Sequence, residues 1–229
     1  MKAAIIVFPG SNCDRDIAVS FRNVAKVEPK MVWHKETHIP DCNIIIVPGG
    51  FSFGDYLRCG SIAANSPVMR EVIKKSKEGF PIIGICNGFQ ILTETRLLPG
   101  TLIRNNCLSF ICKTTKLSVV NNRTYFSQKY FENQIIDIPI AHNEGNYFAN
   151  DEIIKELEDN NQIAFKYCDE DGNFSNDANP NGSLKNIAGI INKKGNVLGM
   201  MPHPERATNR LSRLNDGENF FLSIAETLQ

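Results

Sequence analysis

Short apolar runs alternate with helical patterns over the first hundred residues. Residues 3–8 (AAIIVF) predict a buried strand that stops at the turn PGSNCD. A helix pattern follows from Asp14 to about Ala25. Residues 27–33 (VEPKMVW) read as a weaker strand, and 44–47 (IIIV) as a short one ending at Pro48-Gly49-Gly50. Helical stretches follow near 54–64 and 67–78, the second ending at Gly79, a helix-stopping residue. Residues 81–85 (PIIGI) predict the next strand and 88–96 the next helix. Fully apolar strands alternating with helices predict an α/β fold, an open and mostly parallel sheet flanked by helices. Ligands bind such sheets at the carboxyl ends of the strands. Pro9-Gly10, Gly49-Gly50 and Cys86 all fall at those ends.

The second half follows another pattern. Residues 102–120, 135–140 and 163–168 read as strands with little helix between them, and 187–201 as a hairpin around NKKGN. An amphipathic helix from Asn219 to Leu228 closes the chain. This predicts an antiparallel elaboration of one sheet edge within a single domain, 1–229, and not a second domain. The polar stretch 169–183 is a loop punctuated by Gly and Pro.

Composition narrows the function classes. The chain has 229 residues, 42% of them hydrophobic, enough for one good core. Lys+Arg and Asp+Glu are both 25, so charge gives no footprint for nucleic acid or an anionic membrane. No run reaches the roughly 20 apolar residues of a membrane span. The first apolar run is too short for an export signal. Seven cysteines without a disulfide-framework spacing then predict a reducing cytoplasm. Asn-X-Ser/Thr matches at Asn122, Asn173 and Asn181 carry no meaning without export.

Chemistry concentrates in two stretches. Gly84-Ile85-Cys86-Asn87-Gly88 is G-x-C-x-G between a strand and a helix, the setting of a nucleophile elbow. The sharp turn strains the nucleophile's backbone, and close neighbouring chains demand small residues two before and two after. The helix amino end favours the reactive thiolate. A cysteine that merely packs needs no such bracket, although burial is the commoner fate of free cysteine. The base must come from four histidines. His34 and His38 lie in WHKETHIP and His142 in PIAHNEGNY. His203 follows an apolar strand in MMPHPERA, stiffened by Pro202 and Pro204. Residues two apart in an extended segment face one way, so Glu205 can orient the ring. The alternative is a plain turn leaving the last strand.

GICNGFQIL together with MMPHPERA resembles the class I, or triad, glutamine amidotransferases. FPGSNCDRD, PGGFSFGDYLRCGSIAA, IAHNEGNY and NPNGSLKNIAGI extend the likeness to the glutaminase subunits of phosphoribosylformylglycinamidine synthases, from residue 8 to residue 206. The resemblance implies a flavodoxin-like amidotransferase fold in a free-standing subunit. It also implies glutamine hydrolysis by Cys86, His203 and Glu205. The oxyanion is then expected at the backbone N–H groups of Asn87 and of Gly50 or Phe51. Gln90 is implied as a substrate contact, and Gly88 is expected to keep bulk away from the substrate. The implied partner is a synthetase subunit carrying ATP, Mg and the ribonucleotide, with a third small subunit possible in the assembly. No cofactor or metal is expected on this chain, which lacks G-x-x-x-x-G-K-[ST]. The family usually has Gly where this chain has Asn143; Asn tolerates positive φ.

Competing readings are a peptidase- or deglycase-like cysteine hydrolase, an amidotransferase subunit of another pathway, and a non-enzymatic interaction subunit. The intact Cys86, His203 and Glu205 speak against the last. Phe51, Phe53 and Tyr56 read equally as docking aromatics or as packing over the sheet. Cys13 is placed to line the site, and equally to serve structure or to contact a partner. His34/His38 with Cys42, and Cys107 with Cys112 as strand positions, are poor zinc spacings. Asp55 and Arg58 read as a local ion pair.

Overall fold

The computed structural model describes residues 1–208 and 214–228. One nine-stranded sheet runs through the molecule in the order β2-β1-β3-β4-β11-β10-β9-β6-β7. Its strands are β1 (Ala3–Val7), β2 (Lys30–Trp33), β3 (Ile44–Val47), β4 (Ile82–Ile85), β6 (Ile111–Val119), β7 (Ile135–His142), β9 (Ile163–Cys168), β10 (Ile187–Ile191) and β11 (Val197–Met200). β5 (Thr101–Ile103) and β8 (Asn146–Phe148) pair separately. From β2 to β11 every pairing is parallel, and from β11 to β7 every pairing is antiparallel. β3 and β4 are buried at every position, as strands covered on both faces must be. None of the described helices is long and apolar enough to cross a membrane.

The hairpin expected at 187–201 is present, but its second strand has a larger role than edge decoration. β11 lies parallel beside β4, pairing Gly199 with Gly84 and Met200 with Ile85. The C-terminal strand thus completes the parallel half of the sheet. The residues after it emerge beside the residues after β4.

Helices α1 (Asp14–Ser20), α3 (Pro67–Lys77), α4 (Asn87–Glu94) and α6 (Glu218–Thr227) match the expected pattern within a few residues. α1 runs on through a wider turn at Phe21–Ala25. The helix expected at 54–64 reduces to α2 (Ser61–Ala64), preceded by a 3-10 turn at Ser52–Asp55. Positive φ at Phe53, Gly54, Asp55, Leu57 and Gly60 breaks the pattern there. A helix missing from the expectation is α5 (Asp151–Asp159), which buries Ile154 and Leu157 and is capped by the Asn150 side chain accepting from the Ile153 N–H. The strand expected at 102–120 divides into β5 and β6, which places Cys107 in a turn and leaves Cys112 in β6.

Gly88 sets how closely α4 packs on β3. A Cβ there would lie 1.9 Å from the Val47 carbonyl oxygen and 3.2 Å from that of Pro48. The glycine therefore serves helix-on-strand contact. Gly84 is similarly tight, its Cβ position 2.6 Å from the Gly88 oxygen. Gly88→Ala should destabilise the fold by about 3 kcal/mol or more, beyond ordinary overpacking because rigid backbone is what it meets. Urea unfolding reads this directly; a loss under about 0.5 kcal/mol would contradict it.

Candidate active site

Cys86 stands between β4 and α4 with φ 51° and ψ −108°, a backbone conformation only a built turn sustains in a non-glycine residue. Its N–H donates to the Met200 oxygen at 2.7 Å, which ties the turn to β11. Its thiol lies 3.7 Å from the Ala141 oxygen and is buried. The first-turn N–H groups of α4 open toward it, as helix amino ends do.

Three residues separate β11 from a short 3-10 turn, Pro204–Arg206. His203 enters it with its N–H bound to the Pro139 oxygen at 2.8 Å. His203 Nδ1 donates to Glu205 Oε1 at 2.6 Å, with both side chains buried. The pair meets through this turn and not through the extended segment expected. Glu205 Oε2 and His203 Nε2 have no hydrogen-bond partner among the described residues. Burial opposes the imidazolium, but Glu205 and the thiols of Cys86 and Cys13 outweigh it and hold the His203 pKa well above its ordinary value.

The predicted oxyanion donors divide. The Phe51 N–H already donates to the Gly10 oxygen at 2.9 Å, which removes it from the set. No acceptor takes the Gly50 or Asn87 N–H among the described residues. The Asn87 side chain holds the facing loop: its Oδ1 accepts from the Ser52 N–H at 3.1 Å, and its Nδ2 donates to Asp55 Oδ1 and Gln90 Oε1. Asp55 thus answers Asn87, while Arg58 pairs with Glu94, so the expected Asp55–Arg58 pair is not formed. Gln90 is buried and its Nε2 donates to the Glu144 oxygen at 2.7 Å. It fastens α4 to the 142–146 loop.

That loop rests on a network the sequence pattern did not expose. His142 Nδ1 donates to Asn105 Oδ1 at 3.1 Å, and the same oxygen accepts from the Gly145 N–H. Asn181 Nδ2 donates to the Gly145 oxygen at 2.8 Å and approaches His142 Nε2. Asn181, a glycosylation match on paper, is buried. Asn143 does not need the positive φ of the usual glycine and points outward. Burial, with His203 adding to it, lowers the His142 pKa to about 4. An unfolded His142 titrates near pH 6.5, so its contribution to stability is complete above that pH and is lost as pH falls toward 4. The loss amounts to about 3 kcal/mol at most. In His142→Gln, urea unfolding across this window should show a flatter dependence on pH; equal slopes would refute the assignment.

Cys13, in the turn after β1, is the residue whose place the sequence left open. Its Sγ and ligand atoms of His203 and Glu205 all lie within 4.8 Å of one another. Arg206 Nη2 donates to Cys13 Sγ at 3.2 Å. His34 lies elsewhere, buried against Trp33 and Phe53. Phe53 packs with it and with Phe8, whereas Phe51 and Tyr56 are exposed, Phe51 beside Phe110.

Known proteins share this arrangement of sequence and fold. Residues 1–218 match the CobB/CobQ-like glutamine amidotransferase domain. The chain is 53% identical to phosphoribosylformylglycinamidine synthase subunit PurQ of Chlorobaculum parvum over 98% of its own length and 89% of that protein's. It is also 53% identical to the PurQ subunit of Synechocystis, covering 96% of this chain and 98% of that one. A solved chain from the PurLQS structure of Thermotoga maritima superposes with a TM-score of 0.87 at 41% identity, covering 100% and 99% of the two chains.

Proposed function

Because this chain belongs to the PurQ family of glutamine amidotransferases, we propose that it is the glutaminase subunit of a phosphoribosylformylglycinamidine synthase, with Cys86, His203 and Glu205 as its catalytic residues. The observation that carries this reading is the buried His203–Glu205 pair at 2.6 Å, set by β11 beside the strained Cys86 elbow.

Each group has a task in glutamine hydrolysis. Glu205 fixes the ring by accepting from Nδ1 and, with the Cys86 sulfur, favours an imidazolium that holds the sulfur's proton beside the thiolate. The Cys86 thiolate attacks the side-chain amide carbon of glutamine. The N–H groups of Asn87 and Gly50 hold the tetrahedral oxyanion, each such donor typically contributing about 3 to 4 kcal/mol. The His203 imidazolium gives its proton to the departing nitrogen, which leaves as ammonia. Water, deprotonated by His203, then cleaves the thioester to glutamate and restores the thiol. Gln90, whose Nε2 holds the Glu144 oxygen before substrate arrives, is a substrate contact.

Ammonia freed into water becomes ammonium, so the reaction is useful only beside a consumer. That consumer is a synthetase subunit that binds ATP, Mg2+ and formylglycinamide ribonucleotide and forms the amidine; a third small subunit joins the assembly. This chain contributes no cofactor. Exposed Phe51, Tyr56 and Leu57, next to the site's own Gly50, form part of the docking face. All seven cysteines are unpaired thiols, which suits the reducing cytoplasm.

The test is coupled turnover. Mixed with its synthetase, ATP, Mg2+ and ribonucleotide, the chain should release glutamate faster than alone and in step with amidine formation. Equal glutamate release with and without the synthetase would count against the pathway assignment.

A further inference from the structure

We propose that a cavity at the amino ends of β4 and β11 binds a nucleoside phosphate whose base carries an exocyclic amine. The cavity holds about 580 Å³, a size suited to a small organic ligand. Ser76 and Lys77 line it from the end of α3, just before β4. Asn192, Lys193 and Lys194 line it from the turn before β11, and Arg96, Leu97 and Leu98 from the segment after α4. Cys86 and His203 follow the carboxyl ends of these same two strands. The cavity is therefore separate from the site described above, and the inference does not rest on the catalytic reading.

Three kinds of group share this space. Lys77, Arg96, Lys193 and Lys194 line it with a single carboxylate, Glu156. Glu156 lies 3.5 Å from Lys193 Nζ, and Lys194 Nζ donates to the Lys77 carbonyl oxygen at 2.8 Å. Lys77 and Arg96 have no acidic partner among the described residues. That excess of positive charge suits a phosphate group. The turn that presents the lysines is tied down. Asn192 Oδ1 accepts from the Asn196 and Val197 N–H groups at 3.1 Å each, and Asn196 Nδ2 donates to the Ser76 and Phe80 oxygens.

Charge alone would suit any phosphate, but the remaining lining narrows the choice. Leu97, Leu98, Ile153 and Leu157 give the cavity an apolar side that a base can cover and that inorganic phosphate leaves bare. Gln162, only 4% exposed, also lines the cavity. Its Nε2 donates to the Ile191 oxygen at 2.9 Å, which fixes the amide, while its Oε1 has no hydrogen-bond partner among the described residues. A buried acceptor left unmet costs free energy until a donor reaches it. An amine on the base is that donor.

The experiment is calorimetric titration of the full chain with AMP as the probe. One AMP should bind per chain, and adenosine, inorganic phosphate and purine riboside monophosphate, which lacks the amine, should each bind more weakly. Lys77→Gln combined with Arg96→Gln should raise the dissociation constant for AMP about tenfold or more, since both change exposed side chains and remove charge-assisted contacts. Gln162→Leu should erase the preference for AMP over purine riboside monophosphate. Cys86→Ala should bind AMP as the wild type does, which places the ligand away from the elbow and separates this test from that of glutamine hydrolysis. No binding of AMP would overturn the site, as would AMP binding unchanged by the double substitution or lost in Cys86→Ala. Phosphate binding as tightly as AMP would reduce the cavity to an anion patch. Equal binding of AMP and purine riboside monophosphate to the wild type would refute the role of Gln162, without recourse to any variant's folding.

Discussion

Cys86→Ala should lose glutamine hydrolysis by at least about 10⁴-fold, the scale on which a triad fails when its nucleophile is removed. The fold should survive. Cys86 is buried but small, and its backbone ties run through its N–H to Met200 and its carbonyl to the Gln90 N–H, neither of which needs the sulfur. The variant complex should therefore still make the amidine when ammonium salt replaces glutamine, because only the supply of ammonia is cut. The decisive comparison is product formation from glutamine against product formation from ammonium, in one preparation. Loss of both would mean that the substitution damages docking and not chemistry. Retention of both would mean that Cys86 only packs.

Glu205→Gln should lower kcat/KM for glutamine by about 10³- to 10⁴-fold, as replacing the orienting carboxylate of a triad by its amide does. Its effect on pH dependence is the sharper test. Glu205 is the leading group holding the His203 pKa up against burial. The step that expels ammonia needs protonated His203, so activity falls on the alkaline side as that proton is lost. Without the carboxylate the raised pKa collapses, and the alkaline limb moves to lower pH. A kcat/KM profile that drops in height but keeps its alkaline limb in place would show that Glu205 acts through shape alone.

Much of this was legible along the chain because the parallel strands are buried on both faces. Such strands must be apolar at every position, and IIIV and IIGI announce themselves. The elbow was legible for a related reason: backbone contact as close as Gly88 to Val47 leaves a glycine at a fixed distance from the nucleophile. Where tertiary contacts choose among local options, the pattern failed. Asp55 and Arg58 are near neighbours in sequence, yet each finds a partner on α4, Asn87 and Glu94. Phe51 offers an N–H that only the position of Gly10 shows to be taken. α5 was missed because its apolar face is narrow, Ile154 and Leu157 among charged residues. Cys13 belongs to the site through the turn after β1, and nothing in its own flanks says that His203 will arrive beside it.

The placing of β11 has a consequence for how the protein is made. The elbow is complete in sequence by Gly88, but the Cys86 N–H finds its acceptor on Met200 and the base arrives with His203. A nascent chain leaving the ribosome can lay β1, β2, β3 and β4 side by side with the nucleophile already mounted. On the catalytic reading proposed above, it stays inactive until β11 pairs with β4. A chain that stops short of β11 thus carries the Cys86 thiol without the Met200 acceptor or the His203 ring, and on the catalytic reading proposed above it should hydrolyse no glutamine.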